Sequence, residues 1–230
     1  MLPRVATLRQ DDTHRLISCK HSEAGASVLV PLADTDDDLA NLFELDGATN
    51  DRLAGESGLL PGISSYELVF GISYFHIVNA AFTHAHPLGS RFNSSERAAW
   101  YAAFELETAE AEVAFHKAQE FQEINWQEEE TVSYVDYRAD FRAEFHDIRG
   151  QSEFANCLAL DSYVASQQLA AELLQHGSAG VIYPSVRKLG GTCIACFRPG
   201  LVVNVRKGAT VNFTFLNAHE PPTVTVEGAE

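Results

Sequence analysis

Apolar and polar positions along the chain change their spacing several times, and each change marks an element. The clearest helical spacing is at Tyr163–Gln175, where Val164, Leu169, Ala170, Leu173 and Leu174 form one apolar side. Asp161 or Ser162 can cap its start, and Gly177 stops it. A second helix is predicted from Thr108, its N-cap, to about Phe121. Short apolar runs at Ala98–Phe104, Thr131–Tyr134, Gly180–Tyr183 and Thr192–Phe197 read as strands. Phe70–Phe82 is rich in β-branched and aromatic residues and reads as partly strand. Leu201–Arg206 and Thr210–Phe215 read as a hairpin turning at Lys207-Gly208. Residues 1–60 are rich in turn formers and acids, which predicts one or two short helices, one around Asp38–Leu45. The expected class is α+β: a mixed β core with flanking helices. The expected organisation is an N-terminal extension packed on the core (1–69), one domain (70–216) and a C-terminal tail (217–230).

Composition narrows the partners. Apolar residues make up 46% and charged residues 21% of the 230, a globular profile. Net charge is −16, which opposes sequence-independent binding to nucleic acid or to an anionic membrane. No apolar run reaches the ~20 residues of a membrane span, and Met1–Lys20 does not read as a signal peptide. Four cysteines in a chain of this length are no disulfide framework, so a cytoplasmic location is expected. The charge is uneven. Residues 101–130 hold nine acids against Lys117 alone, half the net charge in about an eighth of the chain. Most of that block reads as solvated helix face. Glu112, set among Ala109, Ala111, Val113 and Ala114, is the acid expected to turn inward.

Four constellations carry possible chemistry. Cys193-Ile194-Ala195-Cys196 has redox or zinc spacing. In a strand, positions three apart point to opposite faces, so two buried structural thiols are the better reading. His84-Ala85-His86 could hold a metal with His76 or His116, or be solvated loop histidines. No metal site is assigned. Ser185, after Tyr183-Pro184 and before Arg187-Lys188, lacks a G-x-S-x-G elbow. It suits an anion clamp or an ordinary strand-end turn. Arg91, in the turn Gly89-Ser90-Arg91-Phe92-Asn93, offers a planar fork for a diphosphate.

These residues resemble a known family. Gly89-Ser90-Arg91-Phe92-Asn93, Trp100-Tyr101-Ala102-Ala103 and Glu107 to Val113 look like the first half of a RES domain. Tyr183-Pro184-Ser185-Val186-Arg187, Gly190-Gly191-Thr192 and Phe197-Arg198-Pro199 look like its second half. The family is named for an arginine, a glutamate and a serine, which by motif position are Arg91, Glu112 and Ser185. The resemblance implies an ADP-ribosyltransferase-like fold. It implies a toxin that consumes NAD as substrate, by hydrolysis, phosphorolysis or ADP-ribosyl transfer, with no further cofactor. It also implies a partner, an Xre-type helix-turn-helix antitoxin. An Arg-Tyr pair found upstream in many members is replaced here by Ile72-Ser73-Tyr74-Phe75-His76-Ile77, with His76 at the arginine's place. His76, His84 and Arg187 are then candidate substrate-binding residues, with Tyr101 a candidate for stacking on a flat ring. Two other classes compete: a non-catalytic acidic binding module, and a metal enzyme built on His84 and His86.

Overall fold

The computed structural model describes residues 1–21, 35 and 50–228. The helix expected around Asp38–Leu45 lies outside them. In chain order the described elements are β1 (Val5–Ser18), α1 (Asp51–Glu56), α2 (Phe75–Thr83), β2 (Trp100–Ala103), α3 (Leu106–Glu123), β3 (Glu130–Asp147), α4 (Val164–Gln175), β4 (Gly180–Pro184), β5 (Thr192–Cys196), β6 (Val203–Phe215) and β7 (Thr223–Glu227). Short 3-10 turns lie between them, one at Ser152–Leu158. The class is α+β, as the spacing predicts. None of the described helices is long and apolar enough to cross a membrane.

Strand order is β1-β2-β5-β4-β3-β6-β7, with β1 also paired to β3. The first five strands therefore close into a ring, and β6 and β7 extend from β3. All pairs are antiparallel except β3–β4. β5 divides two cores. Ile194 and Cys196 face one, with Val78, Phe82, Trp100, Phe141 and Phe145. Cys193 and Ala195 face the other, with Phe92, Leu169, Leu173, Val181 and Tyr183. The two cysteines lie on opposite faces, both buried, as strand periodicity requires. A third core seats Phe121 of α3 on Val211, Phe213 and Phe215 of β6.

Several elements differ from the sequence reading. Residues 5–18 are not a helical extension but a long strand. It runs against β3 from Val5↔His146 to Ser18↔Tyr134. A bulge at Asp11-Asp12, with Asp12 at φ +53, breaks its alternation and hides it from a period-2 reading. Phe75–Thr83 is a helix. Its buried Ile77, Val78, Ala81 and Phe82 follow helical spacing, and packing overrides their β propensity. Residues 203–215 form one strand, not a hairpin. Gly208 marks a bulge against β3, where an added Cβ would meet Asp136 Oδ2 at 3.0 Å. β3 extends the expected Thr131–Tyr134 strand to eighteen residues. The C-terminal tail supplies β7.

Candidate active site

α3 is built from Ala, Glu and Gln, strong helix formers, and Glu107 in its first turn complements the dipole. Its start is set by Glu105, not by Thr108. The Thr108 hydroxyl donates to Glu105 Oε2 at 2.8 Å, and that oxygen also accepts the Thr192 amide at 3.1 Å. The helix is thereby fixed to β5. Six of the nine acids of residues 101–130 are exposed; Glu110, Glu112 and Glu130 are half-buried. Glu112 turns toward the end of β4.

At that end the Ser185 hydroxyl donates to Glu112 Oε1 at 2.6 Å. Ser185 Oγ in turn accepts the amides of Arg187 (3.1 Å) and Lys188 (3.0 Å). The loop is closed by the Ser185 amide on Gly191 O at 2.9 Å. Gly191 lies so close to α3 that a Cβ there would meet Thr108 Oγ1 at 2.4 Å, and Gly190 takes φ +80. The two glycines thus allow the loop to lie against the helix that carries Glu112. The Cys193 thiol points at the same Oε1 from below, at 3.8 Å. Burial, and then Glu112 itself, push that thiol far above its usual range.

Arg91 is reached from the other side. Its turn is held by Gly89 at φ +71 and by Gln167 of α4, which donates to Leu88 O and Ser90 O at 3.1 Å. Tyr101 is spent on this turn and not on a ligand. Its hydroxyl accepts the Phe92 amide and donates to Asn93 Oδ1, both at 2.8 Å. Arg91 is only 7% exposed. Its Nη1 donates to Cys157 O (3.1 Å) and Ala159 O (2.8 Å), and its guanidinium lies 4.8 Å from the Tyr163 ring centre. Tyr183 lies between the two sides, packed on Phe92. Burial drives its phenol well above its usual range, Cys193, Tyr101 and Glu112 add to the shift, and Arg91 opposes it. Arg187 seats its Cζ 3.3 Å from the Phe115 ring centre and donates Nη2 to Leu160 O at 3.1 Å. His116 is within electrostatic reach of Glu112, Arg187 and Arg91.

The structure therefore brings together Glu112, Ser185, Arg187 and Arg91, with Tyr101 behind Arg91. It does not bring His76 or His84 to them. His76 lies beside α1. Burial lowers its imidazole pKa, Arg52 adds to this and Glu56 opposes it. His84 is exposed at the end of α2, its Nδ1 3.2 Å from Ala80 O. Neighbouring His86 accepts the Leu88 amide. Among the described residues no three His, Cys, Asp or Glu groups are placed to share a metal ion. Sequence reading missed Phe115, Tyr163 and the carbonyls of residues 157–160. Phe115 was findable, being three residues from Glu112 on one helix face. Backbone carbonyls leave no sequence signal.

Among solved structures the chain is similar to the crystal structure of the MbcT–MbcA toxin–antitoxin complex of M. tuberculosis. The similarity has 11% identity and a TM-score of 0.48, and covers 90% of this chain and 86% of that one. No curated protein sequence matches the chain. The family model of the RES domain matches residues 66–216, about two-thirds of the sequence and all of the site just described. The match spans well over half of the chain, and the chain belongs to the RES domain family.

Proposed function

We propose that this protein is a toxin-type RES enzyme that cleaves the nicotinamide–ribose bond of NAD. Family membership supports the toxin class, and the Ser185–Glu112 hydrogen bond carries the chemical reading. Breaking the C–N bond sends its electron pair to nicotinamide, which leaves neutral, and positive charge grows on the ribose carbon. A fixed carboxylate stabilises that charge as it develops. Glu112 fits the role. Oε1 is committed to Ser185, and among the described residues Oε2 has no hydrogen-bond partner.

Ser185 is an orienting group here, not a nucleophile. Its proton is directed to Glu112, and two backbone amides occupy its oxygen. This amide-to-hydroxyl-to-carboxylate chain holds Glu112 in one rotamer. Arg91 and Arg187 place positive charge beside an acid on a strongly acidic body, which suits a dianionic diphosphate. The acceptor that completes the reaction is water, phosphate or a protein side chain. A helix-turn-helix antitoxin of the Xre type is the partner that family membership suggests.

The test is mass spectrometry of NAD incubated with the protein, with and without phosphate. Free ADP-ribose, ADP-ribose-1-phosphate or a modified protein would each support cleavage and identify the acceptor. NAD left intact by folded protein would overturn the proposal.

A further inference from the structure

The two arginines at the site are not equivalent. Arg91 is almost wholly enclosed, its Nη1 is taken by two carbonyls and one face is against Tyr163. Little of it is left for a ligand. Arg187 is half-buried and follows Ser185 by two residues, and its own amide is bound to Ser185 Oγ. Phe115 covers one face of its guanidinium, and Nη2 is held by Leu160 O. Its Nε, however, is buried with no acceptor among the described residues. A buried cationic N–H without an acceptor costs desolvation energy that an anionic oxygen would relieve.

We infer that Arg187, seated on Phe115, takes the diphosphate ester of the substrate, and that Arg91 instead holds the wall of the site. Phe115 is a positioning residue. It lies one helical turn from Glu112, so α3 sets the acid and the floor beneath the arginine at a fixed spacing. Stacking limits Arg187 to one plane, in which Nε, the donor without an acceptor, is left for a phosphate oxygen. The same segment, residues 157–160, is gripped by both arginines, so the wall made with Arg91 also buttresses Arg187.

This inference rests on the NAD reading. The experiment is calorimetric titration of wild type, Phe115→Leu, Phe115→Tyr and Arg187→Lys with ADP-ribose and with nicotinamide riboside, which lacks the diphosphate. Phe115→Leu and Arg187→Lys should weaken ADP-ribose binding by about tenfold or more, the effect of one charge-assisted contact. Phe115→Tyr should restore it, and nicotinamide riboside should bind all four proteins alike. Equal loss of both ligands would mean a merely structural role and overturn the inference. ADP-ribose bound equally by every variant would overturn the inference and leave the NAD reading standing. Wild type binding neither ligand would overturn both.

Discussion

Glu112 is one acid of nine in a strongly negative stretch, and a hydroxyl from the end of β4, that of Ser185, ties its carboxylate in place. Replacing Glu112 with Gln keeps the shape and removes the charge. Nicotinamide release by Glu112→Gln should fall on the order of 10²–10³-fold, the usual effect of losing one transition-state stabiliser. Release at the wild-type rate would refute the assignment. Cys193 and Cys196 give a second residue-scale prediction. Burial pushes both thiols up, that of Cys196 to about 12, so little thiolate exists at neutral pH. Peptide mapping after iodoacetamide treatment of the native protein should find both unmodified, and labelled only after unfolding.

At the scale of elements, short polar bridges hold the site's loops. Tyr101 anchors the Arg91 turn through two hydrogen bonds. Tyr101→Phe removes both and should cost about 1–3 kcal/mol by thermal or chemical denaturation. Elsewhere Glu67 ties the segment before α2 to the chain just before β2 and just after β5, bridging Arg97 at 2.8 Å and Arg198 at 3.0 Å. The Arg97 hydrogen bond is the main cause that lowers its carboxyl from 4.5 to about 2. A folded-state value below the unfolded one stabilises above pH 4.5, and that contribution fades as pH falls from about 4.5 toward 2. The pair is partly solvated, so the effect is at most about 1 kcal/mol. Glu67→Gln should flatten that part of the stability–pH curve, read by urea unfolding across the range. The element errors of the sequence reading belong here too. Asp11-Asp12 and Gly208 read as interruptions because turns and bulges use the same residues. Only the pairing with β3 shows that both chains pass through.

For the whole molecule, β1 is the consequential correction. The family match begins at residue 66, yet β1 closes the strand ring. Arg15 of β1 lies 5.0 Å from the Trp100 ring centre and donates to Tyr101 O at 3.0 Å. A chain beginning at residue 66 would expose the β3 edge and the buried side of β2. It should lack a cooperative melting transition by circular dichroism, while the full chain shows one. A cooperative melt of the shortened chain would show that the matched region folds alone. The overall charge of −16 describes the surface. Most of the acids of residues 101–130 are exposed, and half-buried Glu112 lies on the side of the fold that also carries Arg91 and Arg187.

Local information is enough for what depends on periodicity and composition. The α3 and α4 helices, the short β2, β4 and β5 strands and the opposite facing of Cys193 and Cys196 follow from side-chain spacing alone. The small apolar neighbours of Glu112 likewise fit its half-buried position. The resemblance to the RES domain added the link from Glu112 to Ser185 and Arg91, across many residues of intervening chain. Tertiary structure decided the rest. Strand pairing turned residues 5–18 into part of the sheet and merged two apparent strands into β6. Packing made α2 a helix. Backbone carbonyls at 157, 159 and 160, which no side-chain pattern encodes, separated the two arginines into one that is enclosed and one with an unmet donor.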